Sequence, residues 1–218
     1  MQQYPFHEWI HFFANQGVPE ETIILLLMMP LIATIVAFFR QVIGIKAFGI
    51  YTPSIITVAF LAVGIKYGIA IYITVIAVGM ITRTITKNLR ILYLPRVAIT
   101  ITIVSLATLG TLVIGGSLQR TGLATVSIFP LLIIITLVEK FVATQIEKGT
   151  KTALLLAGET LLIALTSFFI VRWPFIIQMI ALYPWSILLT IPINILLGKW
   201  TGLRVSELLR FREILKER

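Results

Sequence analysis

Long apolar runs, each close to the length of one membrane crossing, alternate with short polar segments along most of the chain. A helix that spans a bilayer needs about 20 mostly apolar residues. The pattern predicts seven such helices, of which the second and third are short enough to form a tight hairpin or to include a re-entrant piece. The predicted spans are residues 22–39, 47–63, 68–82, 97–114, 123–138, 152–171 and 174–197.

The composition supports lipid as the solvent of this chain. Of its 218 residues, 58% are hydrophobic and 12% are charged, and the mean hydropathy is +1.01. A soluble domain carries about a quarter charged residues. The fold class is therefore all-α: a polytopic membrane helical bundle. We divide the chain into an interfacial N-terminal segment (1–21), a transmembrane domain (22–198) and a basic amphipathic tail helix (199–218).

The basic residues are distributed unevenly between the polar segments. Fifteen of the 18 lie in segments 40–46, 83–96 and 139–151 and in the tail after Gly198. Cytoplasmic loops are enriched in Lys and Arg, so the pattern places the N terminus outside and the C terminus in the cytoplasm. The net charge of +9 indicates a partner surface of anionic lipid rather than nucleic acid.

The segment HEWIH, residues 7–11, matches the H-E-x-x-H pattern of zinc proteases. Such a site needs a third ligand, but the chain has two His, no Cys and no Asp, so only a Glu could supply it. Glu20 and Glu21 are the nearest, across a Gly-Val-Pro break. The motif also precedes the first span and lies among aromatic residues that suit a membrane interface. We predict an interfacial segment with no metal and no cofactor, and keep a zinc protease as a remote alternative.

Four separate segments resemble a known family. They are RQVIGIKAFGIYTPSIITVAFL (40–61), LRILYLPRVAI (89–99), FPLLIIITLVEKFVATQIEKGTKTAL (129–154) and TGLRVSELLRFREIL (201–215). Together they resemble the seven-transmembrane-helix domain that bacteria often fuse to an inactive transglutaminase-like domain. We expect this chain, which has no room for that second domain, to be a stand-alone version or a fragment. The resemblance implies a location in the bacterial inner membrane. It also implies partners among ATP-grasp peptide ligases, transglutaminase-like domains and pepsin-like proteases.

Glu159 lies near the middle of the sixth predicted span. A carboxylate at that depth costs roughly 2.5 kcal/mol or more unless it is protonated, paired or in a wet cavity. Two interpretations stay open. Glu159 is either a proton, cation or ligand site, or a neutral acid that hydrogen-bonds to its neighbours.

The start of the second span, GIKAFGIYTP, contains two glycines and a proline. Irregular backbone at membrane depth must be buried in protein or line a cavity. We therefore predict ligand-site candidates at Lys46, Tyr51, Thr52 and Pro53. The last three would roof a cavity over Glu159, and Lys46 would reach lipid phosphates or pair with Glu139. The alternative is an ordinary helix start with an anchoring lysine.

The sequence contains no phosphate-binding loop, nucleophile elbow or dinucleotide fingerprint, so we do not expect an enzyme. The family resemblance implies a non-catalytic membrane scaffold or sensor associated with peptide and amide-bond chemistry at the bacterial envelope, and we predict this function. The alternative function is a small transporter or channel that uses Glu159. The amphipathic tail is predicted to lie on anionic lipid or to dock a cytoplasmic enzyme.

Overall fold

The computed structural model describes residues 13, 15–87, 89, 91–117 and 128–199. Every regular element within them is helical. A π-helix, Phe39–Ile43, continues α1, and a 3₁₀-helix, Pro184–Leu189, separates α7 from α8. The α-helices are α1 (Glu20–Phe38), α2 (Tyr51–Val63), α3 (Ile65–Thr86), α4 (Tyr93–Ser117), α5 (Ile128–Lys148), α6 (Thr150–Val171), α7 (Pro174–Leu182) and α8 (Thr190–Gly198).

The described helical segments follow the seven predicted spans in order. They differ in whether their length and hydropathy suffice to cross a bilayer. Thr22–Ile43, Ile65–Thr86, Tyr93–Ile114 and Thr150–Val171 are each long and apolar enough to cross. The last predicted span is not one straight helix: Pro174–Leu182 and Pro184–Gly198 meet at an angle of 108°, as in a broken span or a re-entrant loop. Pro184 accounts for the break, since proline lacks the amide hydrogen that a continuous helix requires. α2 is apolar but has only 13 residues.

Several predicted boundaries are wrong for identifiable local reasons. The expected turn at residues 64–67 is reduced to Gly64, whose φ of 90° ends one helix and starts the next. α3 therefore has 22 residues and is not short. The polar segment 139–151 is helical rather than a loop, and the break falls at Gly149, with φ 84°. Glu139 and Lys140 are exposed on α5, which lets the helix continue past them.

The chain divides into two compact units, residues 1–54 with 163–218, and residues 55–162. The second unit is built around α3, which packs against α4 and α5. Gly79 lies so close to α5 that a Cβ atom there would stand 2.6 Å from Cγ2 of Val138. The Tyr72 hydroxyl donates a 2.8 Å hydrogen bond to the carbonyl of Ala157 on α6. Small residues and buried hydroxyls are the usual means of helix association in lipid.

In the first unit the first and the last of the described helices pack against each other. The 3₁₀-helix packs on α1, and α8 packs on α1 and on the π-helix that extends it. Successive segments near the C terminus thus contact successive segments near the N terminus. α1 and α8 therefore run in the same direction.

Large apolar side chains point outward on many of these helices. Leu155 is 67% exposed on α6 and Leu196 is 69% exposed on α8. Such surfaces are too apolar for water but suit a hydrocarbon solvent, in which packing between helices depends on shape and polar contacts. The helices and their exposed faces belong to a multi-pass integral membrane protein.

Candidate functional site

A polar cavity lies in the first unit. Its volume is about 390 Å³, within the range of roughly 300–1,000 Å³ that is usual for small-molecule sites. One wall is the end of α1 and the irregular segment after it, and the other is the end of α8. It is lined by Ala37, Arg40, Gln41, Gly44, Ile45, Lys46, Ile50, Asn194, Leu197 and Gly198.

The wall formed by residues 39–50 departs from regular helix at each step. The amide of Gly44 donates to the carbonyl of Phe39 at 2.9 Å, which closes the wide turn of the π-helix. Gly44 then adopts φ 91°, a left-handed conformation that ends the helix. Ala47 has φ 33°, which is unusual for a residue with a side chain. π-Helical turns and strained residues are concentrated at functional sites in proteins.

The opposite wall is fixed by a hydrogen-bond chain. The Asn194 amide donates to Oγ1 of Thr34 and to the carbonyl of Thr190, both at 2.8 Å. The Thr34 hydroxyl donates in turn to the carbonyl of Pro30 at 2.8 Å. Both N–H groups of Asn194 are used in these bonds. This series of hydrogen bonds therefore holds α8 against α1 beside the cavity.

The charge around the cavity is positive. Arg40 and Lys46 both line it, and none of its ten lining residues is acidic. Lys199 follows Gly198 directly and caps the end of α8. Arginine offers five donors in a planar fork that matches carboxylate and phosphate groups. The cavity is thus suited to hold an anion.

Among the predicted site residues, only Lys46 lies in this cavity. Tyr51, Thr52 and Pro53 form the first turn of α2, just after the lining residue Ile50, and are not themselves lining residues. Tyr51 is 82% exposed, whereas Pro53 is buried. The irregular backbone predicted at the start of the second span is present. It lines the cavity together with Arg40 and Gln41.

Glu159 is half-buried on α6, in the second unit. It takes part in a polar or electrostatic interaction. An open depression surrounds it, lined by Lys151, Leu154, Leu155, Gly158 and Leu162. All of these residues belong to α6, so the depression is one face of a single helix. Its role as a proton or ligand site stays a prediction.

The segment His7–His11 lies outside the described residues, as does the tail after Lys199. Within the described residues, no three His, Cys, Asp or Glu side chains come close enough to share a metal ion. The predictions of a metal-free N-terminal segment and of an amphipathic tail helix therefore stay predictions.

The sequence alone did not predict that Arg40, Gln41 and Asn194 line the same cavity. In the sequence, Arg40 indicates only where the first predicted span ends. Asn194 could have indicated a contact between helices, because its amide side chain interrupts the otherwise apolar run Ile193–Leu197. Polar side chains inside a span normally bond to a neighbouring helix, as Asn194 does.

A comparison with protein families gives one match, which covers residues 14–215. The family is described as seven transmembrane helices usually fused to an inactive transglutaminase. The chain belongs to this family. No curated protein and no solved structure matches the chain.

Family membership confirms the resemblance detected in the four sequence segments. It also gives the number of transmembrane helices as seven, although four described helices pass the length and hydropathy test alone and the bent pair makes five. The fifth predicted span begins in residues outside the described part, and α5 carries charges in its second half. The second predicted span corresponds to α2, whose 13 residues are fewer than a single crossing requires.

Proposed function

We propose that this protein is a non-catalytic integral membrane scaffold or sensor for peptide and amide-bond chemistry at the bacterial envelope. The observation that carries the proposal is the family match over residues 14–215. The transglutaminase to which this kind of membrane domain is usually fused is described as inactive, which favours a role without catalysis. Such a pair is suited to hold or to sense a substrate for another enzyme.

The polar contacts of the described helices support a holding role. The hydroxyl of Thr34 and the amide of Asn194 bond to one another and to backbone carbonyls. The amide of Gln145 donates to Oγ1 of Thr150 across the α5–α6 turn at 3.1 Å. These bonds fix helices in place, which is what a membrane scaffold requires.

We further propose that the protein lies in the inner membrane with its N terminus outside and its C terminus in the cytoplasm. Fifteen of the 18 basic residues fall in the segments that this arrangement places inside. The common direction of α1 and α8 is consistent with it, because the first and seventh spans of a seven-helix protein cross the membrane in the same sense.

A small transporter or channel that uses Glu159 is the second candidate. The half-buried carboxyl group in the middle of α6 favours it, since ionisable groups inside spans often serve ion or proton pathways. The surrounding depression, however, is lined by one helix alone. Transport sites are usually formed between helices, so the scaffold or sensor role has the stronger support.

Site-specific crosslinking in the native cell tests the scaffold role. A photo-reactive amino acid at Lys87 or Lys148 would face outward in a polar segment between the spans, where an enzyme can reach it, whereas the same group at Ile163, which is 0% exposed, would not. We expect the outward positions to capture an ATP-grasp ligase, a transglutaminase-like protein or a pepsin-like protease, and the Ile163 control to capture none. Capture of lipid alone from both outward positions would contradict the proposal.

A further inference from the structure

We propose that the cavity between residues 40–50 and the end of α8 binds a phosphate group, carried either by a lipid headgroup or by a small soluble phosphate compound. The inference rests on the geometry of the first unit and is independent of the scaffold role. The charges, the depth and the backbone of the cavity each support it.

The balance of charge decides between a cation and an anion. α8 and the π-helix that extends α1 both end at the cavity, and a helix C terminus carries about half a negative elementary charge. Together they contribute about one negative charge. Arg40 and Lys46 contribute two positive charges on the lining itself, and Lys199 stands at the end of α8. The lining thus carries two basic side chains and no acidic side chain, which favours an anion over a cation.

The depth of the cavity favours phosphate over other anions. Thr22–Ile43 is a candidate membrane span, and Arg40 lies in its last turn. Lys46 follows the end of that span by three residues. A cavity at the end of a span lies at the level of the headgroups, where phosphate is the common anion. Arginine binds phosphate through two parallel hydrogen bonds, and lysine adds a point charge.

The backbone supplies the space that a ligand needs. Gly44 and Gly198 both line the cavity and carry no side chain, so a ligand oxygen can approach the main chain closely. The left-handed turns at Gly44 and Ala47 keep residues 44–50 out of the helix. In lipid, such backbone is tolerated where it is buried in protein or lines a cavity.

Phosphate binding by the purified full-length protein provides the test, in a maltoside detergent that contains no phosphate. The probes are inorganic phosphate, glycerol phosphate and, as a carboxylate comparison, succinate. Nanodiscs of phosphatidylcholine with or without phosphatidylglycerol test the lipid source, with bound lipid read by native mass spectrometry. The site variant is Arg40→Gln with Lys46→Gln. The matched control is Lys87→Gln with Lys148→Gln, which removes two exposed charges predicted to lie on the same side of the membrane.

We expect the wild-type protein and the control to bind a phosphate probe, and the site variant to bind it about tenfold or more weakly. Retention of phosphatidylglycerol alone identifies a lipid headgroup, and displacement by glycerol phosphate identifies a soluble compound. Equal binding by the site variant and the control would overturn the proposal, as would a preference for succinate or no binding by the wild type. If the double variant fails to fold, the single variant Lys46→Gln provides the same test. The Lys46 side chain is exposed, so its replacement should leave the fold intact.

Discussion

Asn194 donates a 2.8 Å hydrogen bond to Oγ1 of Thr34, which precedes it by 160 residues. The bond joins the last helical segment of the chain to the first, and a second bond from Asn194 to Thr190 fixes its amide. Because the cavity begins one turn beyond Thr34, this contact sets the position of both cavity walls. It is therefore the polar contact on which the candidate site depends most.

Removal of that bond should lower the stability of the protein. We expect Thr34→Val to cost about 0.6 kcal/mol and at most about 1.7 kcal/mol, the range found for hydrogen bonds between membrane helices. Thr74→Val is a matched control, because the Thr74 hydroxyl donates to Ala70 within its own helix. A double-mutant cycle with Asn194→Ala in bicelles measures the coupling. Equal losses from Thr34→Val and Thr74→Val, with no coupling, would show that the contact is not stabilising.

The close packing of α3 on α5 predicts a large effect from a small substitution. In Gly79→Ala the added methyl group would stand 2.6 Å from Cγ2 of Val138, so either the Val138 side chain or the helix backbones would have to shift. We expect a loss of about 1–3 kcal/mol, as for other overpacked sites. Gly110→Ala is the control, since no atom lies within 4 Å of its added Cβ. Thermal unfolding in detergent compares the two, and equal midpoints would contradict the packing described here.

The proposed orientation can be read by cysteine labelling, and the absence of native cysteine removes any background. Lys66→Cys is placed outside and Lys148→Cys inside, and both positions are exposed. A membrane-impermeant maleimide added to intact cells should label Lys66→Cys and should reach Lys148→Cys only after permeabilisation. The reverse result would invert the topology.

Glu159→Gln separates the scaffold from the transporter. The substitution keeps the shape and hydrogen-bonding capacity of the side chain and removes its ionisable proton. For a scaffold, we expect this variant to match the thermal stability of the wild type and to complement a deletion strain fully. Normal stability with failed complementation would instead assign Glu159 a titrating function.

Much of the helical organisation could be predicted from hydrophobic runs, because lipid imposes helices and a minimum length on any crossing segment. The limits of α3 could not be predicted from the hydrophobic runs. Gly64 alone ends α2, and the charged Lys66 lies within the first turn of α3. The charges at Lys66, Glu139 and Lys140 do not mark helix ends, because an exposed charged side chain can stand on a helix that continues past it.

The candidate site was only partly predictable, for a different reason. Lys46 was found because glycines and a proline surround it in the sequence. Arg40 and Asn194 are 154 positions apart, and their shared cavity depends on the packing of α8 against α1. Hydrophobic periodicity reports which face of a helix is apolar, but it does not report which two helices will be neighbours.

The scaffold role is tested most directly by the location of the enzyme that crosslinking captures. Its membrane-bound fraction is measured by quantitative immunoblotting of fractionated cells that contain this protein, lack it, or carry Glu159→Gln. The account predicts that the enzyme is membrane-bound in the first and third strains and is released to the soluble fraction in the second. An enzyme that stays on the membrane to the same extent without this protein would contradict the account.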